Sequence, residues 1–211
     1  MPRITDERRE SRREQVLEAA RTCLQEHGLE AVSMEMIISR SGLSTGAVYG
    51  YFKGKDEIIN AVITDGTAAM ARNLAPVLAN PKPPPPPEFV EQILRAVVGF
   101  GRHKKGNIDR LGVSLHGWSH SQSDPELKAA MRSSYAGLRT LFLDVARRWQ
   151  ASGTIEATED PGAMAELLTS ITLGFVAQRT LAGSADVASH VAALKALTHQ
   201  PVVGSARNSH A

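Results

Sequence analysis

Residues 33–58 read SMEMIISRSGLSTGAVYGYFKGKDEI, and this stretch decides the fold. Ser33 can cap the start of a first helix, and Gly42 suits the left-handed position at which a helix ends. Ser44 can then cap a second helix after a short connection. Two short helices joined by a glycine turn of this length form a helix-turn-helix unit. The apolar residues that share one face of the first helix are Met34, Ile37 and Ile38.

The second helix is predicted over residues 45–52, and its side chains divide into two faces. Val48 and Phe52 lie four residues apart and can pack against the first helix. Small residues at its N-terminal end allow close approach to a surface, and two tyrosines add planar rings with hydroxyl groups. A recognition helix that enters the major groove N-terminus first has these properties. Its outward residues are Thr45, Gly46, Ala47, Tyr49, Gly50 and Tyr51.

Two lysines, Lys53 and Lys55, follow the second helix directly. Lys55 opens the next helix, where its ammonium group and nearby backbone N–H groups can hold a DNA phosphate. The alternative interpretation is an ordinary surface hairpin of helices with two exposed tyrosines, because the period and turn signals are common. The residues around the motif favour DNA binding over that alternative.

Residues 12–62 resemble the N-terminal DNA-binding domain of the TetR family (AcrR-like) of bacterial transcriptional regulators. The most specific part is Gly42-Leu43-Ser44 through Val48-Tyr49-x-Tyr51-Phe52-x-x-Lys55-Asp56-Glu57-Ile58. The sequence departs from the family at Gly50, where a large aromatic or polar residue is usual, and at Met34, where threonine is common. The resemblance implies that DNA is contacted by Ser33, Thr45, Ala47, Tyr49, Tyr51 and Lys55. We add their neighbours on the exposed face as candidates: Ser44, Gly46 and Gly50.

Composition sets broad limits on the kind of protein. A chain of 211 residues with 42% hydrophobic content can bury a sizeable core in one large or two small domains. There is no apolar run of membrane-spanning length and no apolar segment typical of a signal peptide near the start. A single cysteine, Cys23, excludes an intramolecular disulfide and is interpreted as a core residue. We therefore expect a cytoplasmic protein with no membrane partner.

Net charge does not indicate nucleic-acid binding, because the chain carries only +2 and its first 60 residues hold nine Lys/Arg against ten Asp/Glu. Position is more informative than the sum, since clustered arginines can contact phosphates while acidic residues face elsewhere. A solvated helix start of mixed charge is the alternative. The clustered arginines are Arg3, Arg8, Arg9, Arg12 and Arg13.

The apolar period predicts an all-α fold, with a three-helix head at the N-terminus and a larger helical bundle behind it. The head spans 1–54, with a flexible arm over 1–10, and the body for effector binding and dimerisation spans 55–200. A proline-rich linker is predicted over 81–87 and a disordered tail over 201–211. The helix that opens at Lys55 should run to about residue 79 and belong to both head and body, so it can carry a signal between them.

The body offers aromatic and sulfur side chains on the inner faces of its predicted helices, and for any single one a plain core role is the simpler interpretation. Resemblance to the family implies a cavity there for a largely apolar effector, whose identity the sequence does not give. Its candidate lining residues are Phe100, His103, Leu111, Leu115, Trp118, Met131, Tyr135, Leu138, Phe142, Ile171, Phe175 and Gln178. His116 and Arg179 are further polar candidates.

A stripe of small residues on the helix predicted from Asp160 to Leu181 can admit a second helix closely, either from a partner subunit or from the same chain. The resemblance implies a two-fold homodimer built from the last two long helices. The interface candidates are Leu167, Ser170, Gly174, Ala177, Val187, Val191 and Leu194.

No catalytic or cofactor motif is present in the sequence. His116 and His120 share a helical face, but they have only Asp124 nearby as a further metal ligand, so a polar helix face is the better interpretation. There is no phosphate-binding glycine loop and no nucleophile elbow. We expect no metal, no cofactor and no enzyme activity.

The predicted function is a dimeric, effector-released repressor that binds a palindromic DNA operator. Two alternatives remain open. An architectural DNA binder would show no effector-induced release, and a helical small-molecule-binding protein would show no sequence-selective DNA binding.

Overall fold

The computed structural model describes residues 6–101, 110–183 and 185–198. The prediction of an all-α fold is confirmed, because these ranges form helices and contain no strand. None of their helices is long and apolar enough to cross a membrane. The predicted tail over 201–211 and the residues near His103 lie outside the described ranges. The helices are α1 Asp6–Ala31, α2 Met34–Ser41, α3 Thr45–Tyr49, α4 Lys55–Leu78, α5 Pro86–Gly101, α6 Arg110–His120, α7 Pro125–Ala151, α8 Pro161–Ala182 and α9 Val187–Thr198.

The first helix starts earlier than the sequence indicated. Residues 6–10, predicted as part of a flexible arm, are helical from Asp6 onwards. Acidic residues in the first turn interact favourably with the helix dipole, and the Arg13 guanidinium pairs with Glu10 one turn away at 3.4 Å. Gly28, with φ of 76°, interrupts the helix where its end was predicted. The charged segment is therefore part of the head.

Local capping fixes the helix-turn-helix. The Ser33 hydroxyl accepts a bond from the backbone N–H of Met36, and the Ser44 hydroxyl accepts one from Ala47, both at 3.3 Å. Gly42 between them has φ of 67°, in the left-handed region that favours glycine. Both helices then bury their apolar faces in a core shared with α1 and the first half of α4. The buried residues of this core include Val16, Leu17, Leu24, Ile37, Val48, Phe52, Ile58 and Ile59.

Helix α4 belongs to two hydrophobic cores. Its first half, as far as Ile63, packs in the head core, and Leu74 and Leu78 pack in the body core. The head core also takes Val113 of α6 and Met131 of α7. A boundary at residues 54/55 therefore does not separate two independent packing units, since body helices complete the core of the head.

The body core is organised around aromatic rings of α5 and α7. Phe89 contacts Trp149 edge to face with ring centroids 5.1 Å apart, and it contacts Phe142 at 6.2 Å. The Trp149 indole N–H donates to the carbonyl of Pro84 at 2.8 Å, which ties α7 to the linker. Pro86 and Pro87, predicted as linker, form the first turn of α5 instead. Proline is tolerated there because the first N–H groups of a helix have no intrahelical partner.

Candidate DNA-binding face and effector cavity

The candidate recognition helix α3 is shorter than predicted. It ends at Tyr49, and Gly50 and Tyr51 form the turn that follows, although the Phe52 N–H still bonds to the Val48 carbonyl at 3.1 Å. Gly50 has poor helix propensity, and burying Phe52 draws the chain back toward the head core. Val48 and Phe52 are both buried as predicted and hold α3 against the head.

The outward face of α3 is mostly small and accessible. Tyr49 is 50% exposed and projects from this face. Tyr51 was predicted to face outward, but it is half-buried and packs against the head core. The Ser33 and Ser44 hydroxyls are engaged as helix caps. Ala47 is half-buried. The remaining candidates on the face are exposed: Ser44, Thr45, Gly46 and Gly50.

Basic groups flank the face unevenly. Lys55 begins α4 directly after Gly54, and Lys53 is exposed, with its backbone N–H bonded to a Glu57 carboxylate oxygen at 2.6 Å. Arg13, a candidate phosphate contact, instead donates to Asp65 of α4 at 3.3 Å and lies 5.7 Å from the centroid of the Phe52 ring. Its role in this structure is to join α1 to α4. Arg8 and Arg9 are exposed on the first turns of α1.

A cavity of about 990 Å³ lies between the head and the body, bounded mainly by α1, α4, α7 and α8. Most of its walls are apolar. Five candidates from the sequence line it together: Phe100, Trp118, Met131, Tyr135 and Leu138.

Several other pocket candidates do not line the cavity. Leu111, Phe142 and Phe175 are buried in the body core, where they pack against other helices. The sequence pattern identified these residues as apolar, but it did not indicate which neighbouring helices they would contact. His103 lies outside the described residues. Leu115, Ile171 and Gln178, and the further candidates His116 and Arg179, are not part of the wall.

The sequence analysis missed one whole wall of the cavity. Residues 62–72 of α4 line it, together with Arg13 and Arg21 of α1. The apolar residues spaced along α4 include Val62 and Met70. Their spacing does not show that this one helix faces both a hydrophobic core and a cavity. A ligand in this space would contact α4 directly.

The polar groups that line the cavity include charged side chains such as Arg13 and Asp65, and the hydroxyl of Tyr135. This hydroxyl accepts a bond from the indole N–H of Trp118, and its own proton remains available for another acceptor. Burial raises the pKa of Tyr135 above its ordinary value, against the opposing effect of the Trp118 bond. The hydroxyl is therefore a neutral donor at physiological pH.

The candidate dimer surface divides between the last two helices. On α8, Leu167 and Ser170 are exposed, Ala177 is half-buried, and a side-chain carbon built on Gly174 would meet no atom within 4 Å. On α9 the candidates stay a prediction, although one of them, Val191, has almost no accessible surface to offer. Val191 is buried, and Val187 and Leu194 pack on the body core, because this face of α9 covers α5. The open apolar residues near the ends of the two helices are Leu181, 77% exposed, and Leu197, 72% exposed.

Known families match both parts of the chain. Residues 16–62 match the family described as "Bacterial regulatory proteins, tetR family", and residues 86–200 match "BetI-type transcriptional repressor, C-terminal". The second match alone covers more than half of the chain. The two matches divide the chain along α4, the helix that packs in both the head core and the body core.

Individual proteins agree with these matches. The regulator UidR of Escherichia coli K12 is 24% identical over 186 residues, 88% of this chain and 90% of UidR. The repressor AcnR of Corynebacterium diphtheriae is 32% identical over 75 residues, 36% of this chain and 40% of AcnR. The matches to the first curated relatives span only 36 to 40% of those proteins' length. The solved structure of Salmonella enterica GusR shares the fold, with a TM-score of 0.70 and 21% identity over 93% of this chain and 96% of GusR.

Proposed function

Because the chain belongs to the TetR family of bacterial transcriptional regulators, and so is not an enzyme, we propose that it is a repressor released from DNA by a small effector. In this proposal it binds a palindromic operator as a homodimer. The observation that carries the proposal is the arrangement of α3, which buries Val48 and Phe52 and leaves Thr45, Gly46 and Tyr49 accessible. A short helix held in this way can enter the major groove with its N-terminal end.

Dimerisation through α8 is supported by its open face. Leu167, Ser170 and Gly174 follow one another along one side of the helix, and small groups there allow a partner helix to approach closely. A two-fold dimer would place the two α3 helices on half-sites about one DNA turn, or a small multiple of it, apart. The palindromic form of the operator follows from that symmetry.

Release by an effector is supported by the position of the cavity. The same helix, α4, lines the cavity and packs in the head core, so a ligand that favours a different position of α4 would also move the head. Operator affinity would then fall by the ligand's differential affinity for the two arrangements. The apolar walls and the Tyr135 hydroxyl favour a largely apolar molecule with one hydrogen-bond acceptor.

Effector release is tested by screening a small-molecule library with two readouts, thermal unfolding and binding to a duplex selected from the source genome. We expect that compounds which raise the unfolding temperature also weaken DNA binding. Compounds that stabilise the protein and leave DNA binding unchanged would indicate a binding protein without effector control of DNA. Sequence-selective DNA binding with no such compound would indicate an architectural binder.

A phosphate contact from Lys55 gives a separate prediction. Lys55→Ala should weaken binding to all duplexes and reduce the slope of log affinity against log salt by about one unit, since one counterion fewer is released. Lys82→Ala is the matched control, because Lys82 is exposed in the linker. Thr45→Ala should instead alter sequence preference with no change of slope. An unchanged salt slope for Lys55→Ala, measured by fluorescence anisotropy, would remove Lys55 from the interface.

A further inference from the structure

A single hydrogen bond joins α4 to the corner between α6 and α7, defined as residues 120–125. We propose that its two partners, Asn60 and Asp124, are positioning residues for operator binding, which fix the angle of α4 and thereby the spacing of the two heads. This inference rests on the proposed dimeric mode of DNA binding. Neither residue lies on the outward face of α3, so both would act through the position of the head.

The two oxygens of Asp124 serve different elements. Oδ1 accepts bonds from the backbone N–H groups of Glu126 and Leu127, both at 2.9 Å, and so caps α7. Oδ2 accepts a bond from the Asn60 side-chain amide at 2.6 Å, across 64 residues of sequence. The pKa of the Asp124 carboxyl lies below its ordinary value, first because of the Leu127 bond and then because of the Asn60 bond. The carboxylate is therefore ionised and makes a charge-assisted bond to α4.

The contact one turn further along α4 is steric. A side-chain carbon built on Gly117 of α6 would lie 2.9 Å from Cγ2 of Ile63, closer than such atoms pack. The two helices therefore meet without a side chain on α6 between them. This close crossing resists a shift of α4 toward α6, so rotation of α4 about the crossing point is the easier motion. The Asn60 bond, one turn away along α4, restrains that rotation.

The hydrogen-bonding capacity of the corner is not fully used. In the described part of the chain, Asn60 Oδ1 and His120 Nε2 are both buried and have no hydrogen-bond partner. Burying polar atoms without partners is costly, and the Asn60 oxygen would reach water if α4 moved away from the corner. The Asn60 bond thus holds α4 at the corner, while the cost of the unpaired Asn60 oxygen favours its departure. An element that can adopt two arrangements needs such opposing contributions.

The position of the bond next to the cavity links it to release. Val62, two residues after Asn60, is the first α4 residue of the cavity wall, which also includes Met131 of α7. A ligand that displaces this part of α4 acts within one helical turn of the Asn60 bond. Loss of the bond and movement of the head would occur together.

The test uses the full-length protein and four variants: Asn60→Ala, Asp124→Ser, the double variant and Asp160→Ser. Serine keeps helix-capping ability, so Asp124→Ser removes the bond to α4 while retaining a cap on α7. Asp160→Ser makes the same exchange at the start of α8, where the Asp160 carboxylate accepts the Gly162 N–H of its own helix and no other bond within the described ranges. The DNA probes are duplexes with two copies of the half-site that the wild type selects from a random library, separated by spacers that differ by single base pairs.

We expect Asn60→Ala to lower the affinity for the duplex with the selected spacing about tenfold. The affinities of this variant for duplexes with neighbouring spacings should then differ by about threefold or less. Asp124→Ser should behave in the same way, the double variant should be no worse than either single one, and Asp160→Ser should match the wild type. A merely structural role would lower affinity equally at every spacing, and that result would overturn the proposal, as would additive effects or no effect. If Asp124→Ser does not fold, Asn60→Ala alone decides. If the wild type selects no paired half-sites, the proposed dimeric function fails together with this inference.

Discussion

Tyr49→Ala should lower the affinity for the selected operator by about tenfold to a hundredfold, which corresponds to about 1–3 kcal/mol for the loss of one specific contact. Tyr49 is the large exposed side chain on the face of α3, where its neighbours are small and Tyr51 is half-buried. Since Tyr49 is exposed, its removal should change the free energy of unfolding by about 0.5 kcal/mol or less. Fluorescence anisotropy and urea denaturation measure the two quantities.

Two other variants separate the contributions of this side chain. Tyr49→Phe keeps the ring and removes the hydroxyl, so it shows whether stacking or hydrogen bonding carries the contact. Tyr51→Ala should destabilise the head measurably, because Tyr51 packs on its core. If Tyr49→Ala binds the operator as tightly as the wild type, α3 does not read DNA through this residue.

Trp149→Ala should lower the free energy of unfolding by about 3–5 kcal/mol, the range for removing a large aromatic side chain from a core. Trp149 is fully buried, contacts the Phe89 ring edge to face, and donates to the Pro84 carbonyl. Its loss would leave a cavity between α5 and α7 and an unpaired carbonyl in the linker. Urea denaturation followed by circular dichroism measures the change.

Trp149→Phe provides the matched comparison. It retains most of the buried ring and loses the hydrogen bond, so its cost should be clearly smaller, about 1–3 kcal/mol. Because the head core does not contain Trp149, the folded fraction of either variant should still bind DNA. A cost below about 1 kcal/mol for Trp149→Ala would show that the body does not depend on this ring.

Structural features that depend on contacts within one helical turn could be predicted from the sequence. Ser33, Gly42 and Ser44 define the helix-turn-helix, and each acts through its own backbone or that of a close neighbour. Asp124 and Asp160 start α7 and α8 for the same reason, since a side-chain cap followed by proline is a local arrangement. Arrangements of this kind are contained in a few consecutive residues and need no knowledge of the tertiary structure.

The tertiary contacts that each apolar face makes could not be predicted in the same way. The spacing of apolar residues shows which face of α9 is apolar, but not that this face covers α5 and buries Val191. Likewise, the sequence shows that Phe142 and Phe175 are apolar but not which space they face. The packing of the bundle places them in the body core, away from the cavity. The Arg13 bond to Asp65 joins residues 52 apart, a contact that no local pattern contains.

The claim that the outward face of α3 meets double-stranded DNA is tested most directly by affinity cleavage. Thr45→Cys places a thiol at the exposed N-terminal end of α3, and the native Cys23 is buried and should not react with a hydrophilic iron-chelate reagent. In the proposed dimeric mode of binding, the labelled protein should cut the selected operator in two clusters related by its dyad, about one DNA turn or a small multiple apart. The control label at Leu197→Cys, on the exposed side of α9, should not cut. Bound DNA that is left uncut by the label at position 45, or cut equally from both positions, would contradict the account.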